Sequence, residues 1–218
     1  IEDARVAFAE LEEPALTVES LYMDINYASL ILRKTPFDYL RLSNANLYSP
    51  GLVSLSGTTE TLVSDVNLEL TRKWSKWTLN YLTGTFKTLD ISAHGDLSAL
   101  VAKLGQPRAT QEDRPELYVQ YLQLTRVMSD YSKNLQWAKD PKAEFRFSSP
   151  TESTFIVEAE ILTEAFSYEG LPLVRNLYQK ARIQIFPDVQ MLGPIQLLAE
   201  HLEDDNLKLR VSDISLSL

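Results

Sequence analysis

The chain has 218 residues, of which 44% are apolar and 23% are charged, and this composition excludes wholesale disorder while allowing one large domain or two small ones. A formal net charge of −9, without clustered Lys or Arg, argues against a nucleic-acid partner. The absence of cysteine excludes disulfides, thiol nucleophiles and cysteine-based metal sites.

Alternating apolar and polar residues predict a strand-rich region over residues 15–98. Leu21, Met23 and Ile25 are apolar at a period of two, which is typical of a strand with one buried face. A slip in the alternation at Ser43-Asn44 predicts a β-bulge. Further strands are predicted around Leu40–Leu42, Val66–Leu70, Trp77–Tyr81 and Leu89–Ala93.

One long amphipathic helix is predicted over about 114–139. Asp113 and Glu116 have the spacing of a capping box, and Pro115 suits a first helical turn. The apolar positions behind them recur at spacings of four and three, which predicts a buried stripe on one helix face. Its members are Leu117, Tyr121, Leu124, Met128, Tyr131 and Leu135.

Strand-like alternation returns over residues 143–218. Phe155, Val157 and Ile161 belong to one such segment, whereas residues 171–180 and 192–203 have mixed patterns that also suit short helices. Strands that follow one another without intervening helices pair antiparallel. We therefore predict an α+β fold, in which a largely antiparallel sheet carries the helix. Residues 1–218 form a single such domain or a segment of a larger protein.

Motifs that carry chemistry are scarce. His94 and His201 have no partners at metal-ligand spacing, and the pair Glu158 and Glu160, although suitable in separation for a glycosidase, fits the solvent side of a half-buried strand. We predict no catalytic residues, no metal and no cofactor, and hence no enzyme. Trp74 and Trp77, within a basic stretch, are candidates for contact with a headgroup or another surface.

Residues 15–50, especially Leu40–Leu42 and Ala45–Pro50, resemble the N-terminal units of AsmA-like and TamB-like bacterial envelope proteins. The segment 79–97, with Leu82–Phe86 and Leu89–Leu97, is similar to a recurring strand pair of that family. The resemblance covers about a quarter of the chain well, and the predicted helix departs from it. It implies a curved, groove-forming sheet that shields lipid acyl chains on the periplasmic side of the envelope, without catalytic residues.

Two functions follow from these expectations. The first is a non-catalytic β-groove module for lipid binding or transfer, with phospholipid acyl chains and the rest of a larger envelope protein as partners. Because the chain begins with Ile1, any anchor is expected upstream. The alternative is a structural or protein-interaction module whose sheet is closed or filled by its own helix. The groove candidates are Leu21, Met23, Ile25, Leu89, Ile91, Phe155, Val157, Ile183 and Leu209.

Overall fold

In the computed structural model, the described residues form thirteen strands of one sheet. The structure describes residues 1–9, 11, 13–25, 37–54, 56–105, 117–168, 172–204 and 209–217. Within these residues, the sheet is large, open and curved. The strands are β1 (Glu2–Val6), β2 (Leu16–Ile25), β3 (Phe37–Ser49), β4 (Glu60–Lys73), β5 (Lys76–Phe86), β6 (Leu89–Asp96), β7 (Leu135–Lys139), β8 (Lys142–Thr151), β9 (Thr154–Tyr168), β10 (Leu173–Phe186), β11 (Gln190–Met191), β12 (Gln196–Asp204) and β13 (Leu209–Ser217).

The strands pair in the order β1-β2-β3-β4-β5-β6-β8-β9-β10-β12-β13, while β11 pairs with β10 and β7 with β9. Every pair within residues 2–96 and within 135–217 is antiparallel, as predicted. The two halves meet in a parallel pair, β6 with β8, which the sequence pattern did not predict. Parallel neighbours need a long crossover, and the segment between Asp96 and Lys142 supplies it.

Two helices, α1 (Ser98–Gly105) and α2 (Leu117–Asn134), lie in the described residues of this crossover. The predicted long helix over 114–139 is not confirmed, because α2 has 18 residues and Leu135–Lys139 form strand β7. Residues 113–116, which contain the whole predicted capping box, lie outside the described part of the chain. Helix α1, which was not predicted, begins after Asp96, whose Oδ1 accepts hydrogen bonds from the backbone N and the Oγ of Ser98.

The buried face of α2 differs from the predicted one. Leu124 is 54% exposed, whereas Thr125 and Ser129 are fully buried, so the inward face is rotated by about one residue. Gln120, Gln123 and Asp130 point outward as predicted. The helix contacts β3 and β4, where Tyr121 Oη donates a hydrogen bond of 2.5 Å to the carbonyl oxygen of Tyr48. The spacing of apolar residues cannot predict a helix orientation that depends on such a hydrogen bond.

Residues 171–180 and 192–203, for which short helices were considered, lie largely in β10 and β12. The predicted bulge at Ser43-Asn44 is confirmed, since the register between β3 and β4 shifts between Leu42 and Ala45 and Asn44 has a φ of +49°. Asn44 tolerates this left-handed conformation, and its Nδ2 donates to Glu19 Oε2 at 2.5 Å. In the parallel pair, Gly95 has a φ of +133° and faces the Phe147 backbone so closely that a Cβ would collide with it.

Candidate functional site: an apolar sheet face

The strand register brings apolar side chains into rows that cross the sheet. Residues that pair across neighbouring strands project from the same face. Leu21 pairs with Leu42 and Leu42 with Leu68, so the row continues from strand to strand. The complete row across β2, β3, β4, β5, β6, β8, β9 and β10 is Leu21, Leu42, Leu68, Leu82, Ala93, Phe145, Ala159 and Ala181.

A second row runs beside the first across the same eight strands. It consists of Met23, Leu40, Leu70, Leu79, Gly95, Phe147, Val157 and Ile183. We call these two rows the apolar face. Eight strands at a spacing of ~4.8 Å give each row a length of about 34 Å. No charged or polar side chain interrupts either row, even though the sequence alternates strictly between apolar and polar residues along much of each strand.

Few of these side chains are covered. Leu79 at 3% exposure and Ala93 at 6% are buried, Met23 is 37% exposed, and the other thirteen positions are partly accessible. Among the described residues, six side chains of leucine size or larger are buried, namely Leu62, Trp77, Leu79, Phe155, Ile156 and Leu177. A conventional interior of this chain length would enclose many such side chains. The apolar face is therefore an accessible surface in the described part of the chain.

Helix α1 covers one end of this face. It contacts β5, β8 and β9, and Lys103 Nζ lies 6.0 Å from the ring centroid of Phe186. Phe186 contacts Phe155, which in turn stacks on Phe147 with centroids 5.7 Å apart. Phe155 is only 4% exposed because of this packing. It belongs to the interior beneath α1, which corrects its assignment as a groove-lining residue.

The structure brings most of the predicted groove residues together. Leu21, Met23, Val157 and Ile183 lie in the two rows. Three more predicted groove residues lie beside the two rows. Ile91 pairs with Gly84 and Ala143, Leu89 pairs with Phe86, and Ile25 pairs with Phe37. Leu209 lies in β13, three strands beyond β9, and pairs with Asp204 of β12. The side chain of Leu209 lies outside the described residues.

Other members of the rows were not named as groove candidates. Leu42, Leu68, Leu82 and Phe145 all alternate with polar neighbours, which is the signal that could have found them. Alternation shows that a residue lies on one face of its own strand, but it does not show which strands share that face. The register supplies this information, because a shift of one residue moves a whole strand's apolar set to the other side.

The opposite face carries a network of charges. Lys180 Nζ lies 2.7 Å from Glu160 Oε1 and 2.9 Å from Glu158 Oε1, and Arg146 Nη1 lies 3.5 and 3.6 Å from the same two carboxylates. Arg146 Nε also lies 2.9 Å from Glu144 Oε1. The hydrogen bond from Lys180 lowers the pKa of Glu158 below its usual range, and the bonds to Glu160 and Glu158 raise the pKa of Lys180.

This network bears on the chemistry of the carboxylate pair. A glycosidase's general acid needs a raised pKa so that it keeps its proton near neutrality. Glu158 has a lowered pKa and two cationic neighbours, so it has the opposite property. The pair lies at the centre of a surface ion-pair network that links β8, β9 and β10.

The histidines and other potential metal ligands are dispersed. His94 Nδ1 lies 4.0 Å from Glu144, and His201 Nε2 lies 3.4 Å from Glu200. Over the described ranges, no three His, Cys, Asp or Glu residues are placed so that they could hold a metal ion. A cavity of about 630 Å³ lies on the polar side of β1 to β4, next to Asp3, Glu19, Asn44 and Asp65.

The two candidate surface tryptophans have different environments. Trp74 occupies the turn between β4 and β5 and is 95% exposed. Trp77 is 6% exposed, contacts the Phe37 ring edge-on at 5.4 Å and lies 5.6 Å from the Arg72 guanidinium carbon. Trp77 is thus an interior residue, which corrects its assignment as a surface contact. Trp74 remains available to a partner.

No protein-family model, no curated protein and no solved structure matches this chain. In the described parts of the chain, neither helix is both long enough and apolar enough to span a membrane.

Proposed function

We propose that the apolar face binds the acyl chains of lipids, and that the chain is a non-catalytic lipid-binding or lipid-transfer module of the bacterial envelope. The observation that carries this proposal is the pair of uninterrupted apolar rows, of which only Leu79 and Ala93 are buried. Contiguous accessible apolar surface is costly in water, and on soluble proteins it marks a binding surface.

The dimensions of the face suit acyl chains. Each row extends about 34 Å at ~4.8 Å per strand, which is longer than the span of one acyl chain in a bilayer leaflet, about half of the ~30 Å hydrocarbon thickness. Burying acyl chains along it contributes about 0.8 kcal/mol for each methylene removed from water. The lining combines leucines with Met23 and the aromatic ring of Phe145, without a polar group that would select one headgroup. Such a lining suits flexible hydrocarbon rather than one rigid ligand.

The non-catalytic character is supported by the state of the polar groups. The carboxylate pair Glu158 and Glu160 is engaged by Lys180 and Arg146, and the pKa of Glu158 is lowered rather than raised. The envelope location, on the periplasmic side, is supported by the resemblance of residues 15–50 and 79–97 to AsmA-like and TamB-like proteins. On this view, the segment works as part of a larger envelope protein.

A structural or protein-interaction module is the second candidate. The observation that favours it is the aromatic cluster of Phe147, Phe155 and Phe186 beneath α1, because it shows that the chain's own helix fills one part of the sheet. If the chain's own residues covered the whole apolar face in this way, the sheet would have a structural role and would leave no surface for a ligand.

Site-specific photo-crosslinking separates the two candidates. A photo-crosslinking residue replaces Ile91 or Val157, and the matched control carries it at Ser92, whose pairing with Thr83 and Glu144 places it on the polar face. After irradiation of bacterial cells that express the chain, we expect lipid adducts at Ile91 and Val157 but not at Ser92. Native mass spectrometry of the purified chain should show co-purified lipid.

Adducts to protein alone at Ile91 and Val157 would support the structural module. No lipid adduct at either position, together with no co-purified lipid, would overturn the lipid-binding proposal. Equal lipid labelling at Ser92 would also contradict it, because labelling would then reflect general proximity to membrane rather than binding on one face.

A further inference from the structure

The turn between β4 and β5 presents an exposed tryptophan. Lys73 pairs with Lys76, so Trp74 and Ser75 form a two-residue hairpin turn. We call residues 73–76 the Trp74 tip. Trp74 is 95% exposed and has a φ of +59°. Glycine and asparagine are the usual residues for this left-handed conformation, and for a bulky side chain it is unfavourable.

The tip is held in place from within the hairpin. Arg72 Nε donates a hydrogen bond of 3.0 Å to the carbonyl oxygen of Trp74. The guanidinium carbon of Arg72 also lies 5.6 Å from the ring centroid of Trp77, which is buried. The backbone of Trp74 is therefore tied to the interior of the sheet, while its indole ring projects into solvent. The same left-handed conformation recurs at Lys87 (φ +56°) in the turn between β5 and β6, so the exposure of the indole ring is what distinguishes Trp74.

The charges of the tip contrast with those of the whole chain. The chain carries a formal net charge of −9, yet Lys73 and Lys76 flank the turn directly. Lys76 Nζ lies 3.3 Å from Asp96 Oδ2 but its side chain is 65% exposed, so its charge still reaches the surface. An exposed indole between exposed lysines matches the interface of a membrane with anionic headgroups, where tryptophan is enriched and each basic residue adds attraction.

A second exposed apolar residue lies at the same end of the sheet. Strands β4 and β6 run in the same direction, because both are antiparallel to β5. Strand β8 is parallel to β6, and β10 has the direction of β8 because both are antiparallel to β9. Strands β4 and β10 therefore run in the same direction. Val189, 77% exposed, follows β10, as Trp74 follows β4. From β4 to β10 there are five strand steps, or about 24 Å.

We propose that the Trp74 tip docks this edge of the sheet on a membrane surface that contains anionic lipid. The indole of Trp74 enters the headgroup region, Lys73 and Lys76 contact lipid phosphates, and Val189 adds a second contact on the same edge. This site is separate from the apolar face and does not depend on acyl-chain binding there. The proposal predicts that the strand ends at Trp74 and Val189 face the membrane and that the opposite strand ends do not.

Vesicle co-sedimentation tests the proposal with the purified chain. The probes are vesicles of phosphatidylcholine alone and of phosphatidylcholine with one-third phosphatidylglycerol. We expect binding to the anionic vesicles, at least a fivefold loss in Trp74→Ala, and a smaller loss in Lys73→Gln. The matched control is Leu52→Ala, because Leu52 is 74% exposed in the turn after β3, at the opposite end of the sheet. Its binding should equal that of the unmodified chain.

The variant Trp74→Gly distinguishes a loss of vesicle binding from an effect on folding. Glycine suits a φ of +59°, so this variant should melt at or above the temperature of the unmodified chain while it loses vesicle binding. Native mass spectrometry should find the same co-purified lipid in Trp74→Gly as in the unmodified chain, which separates this site from the apolar face. The proposal is overturned if the unmodified chain does not bind anionic vesicles, or if Trp74→Ala and Leu52→Ala bind equally well.

Discussion

Trp74 and Trp77 lie three residues apart on the β4–β5 hairpin, yet Trp74 is 95% exposed and Trp77 is 6% exposed. Arg72 connects them, because its Nε bonds to the Trp74 carbonyl oxygen and its guanidinium group lies beside the Trp77 ring. The backbone of the solvent-exposed residue is thus anchored to the interior through a single arginine. This division of roles leads to opposite expectations for substitutions at the two positions.

Trp74→Gly should stabilise the fold by about 1 kcal/mol, because a left-handed backbone conformation costs an L-residue with a side chain ~1–2 kcal/mol and glycine almost nothing. Trp77→Ala should destabilise it by about 3–5 kcal/mol, as expected for the loss of a large buried ring. Urea denaturation of both variants measures the two free energies of unfolding. Equal effects in the same direction would contradict the hairpin geometry.

Lys180→Gln should lower the melting temperature at pH 7, because Lys180 bonds to both Glu158 and Glu160. Glu158 has a folded-state pKa below its usual value, so its contribution to stability is present above the unfolded-state pKa of about 4.3 and is lost as the pH falls through the folded-state pKa. The difference from the unmodified chain should therefore shrink below pH 4.

Thermal melts of the two proteins between pH 2.5 and 7 measure this effect. Lys142→Gln is the matched control, since Lys142 is an exposed lysine of β8 that takes no part in the network around Glu158. A difference for Lys180→Gln that persists unchanged at pH 2.5 would show that the ion pairs do not cause it.

Tyr121→Phe should cost about 0.5–1.5 kcal/mol, because it removes the hydrogen bond from α2 to the Tyr48 carbonyl oxygen. Burial raises the pKa of Tyr121 to about 12. The folded state therefore favours the neutral phenol, and this contribution to stability is complete below the unfolded-state pKa of about 10 and is lost between pH 10 and pH 12. Tyr121→Phe should lose less stability over that interval, as measured by urea denaturation. An identical alkaline loss in both proteins would argue against this contact.

Leu124→Ala should change the free energy of unfolding by no more than about 0.5 kcal/mol, because Leu124 is 54% exposed on α2. Leu62→Ala makes the matched comparison, since Leu62 is 2% exposed and its truncation should cost about 2–5 kcal/mol. Denaturant titrations compare the two leucine truncations directly. A large cost at Leu124 would restore the helix face expected from the apolar spacing.

Helix α2 shows where sequence patterns stop being informative. Its apolar spacing predicts that Leu124 faces inward, but Thr125 is fully buried instead and its Oγ1 donates to the Tyr121 carbonyl oxygen at 2.9 Å. Because a polar side chain can be buried when it satisfies its hydrogen bond locally, the inward face need not be the most apolar one. Likewise, residues 192–203 suit a helix by composition, yet β12 forms because β10 and β13 offer backbone partners on both sides.

The sequence by itself determined the strand-rich halves, the bulge at Asn44, and the apolar residue sets of individual strands such as Leu21 and Met23 in β2, because these depend on the period-two geometry of each strand. Only the tertiary structure decided that Leu21 and Ala181, seven strand steps apart in the pairing order, share one row. It also decided that β6 and β8 pair in parallel and that Trp74 is exposed while Trp77 is buried. The physical reason is that pairing register and burial depend on contacts between residues distant in the chain, and local alternation contains no information about those partners.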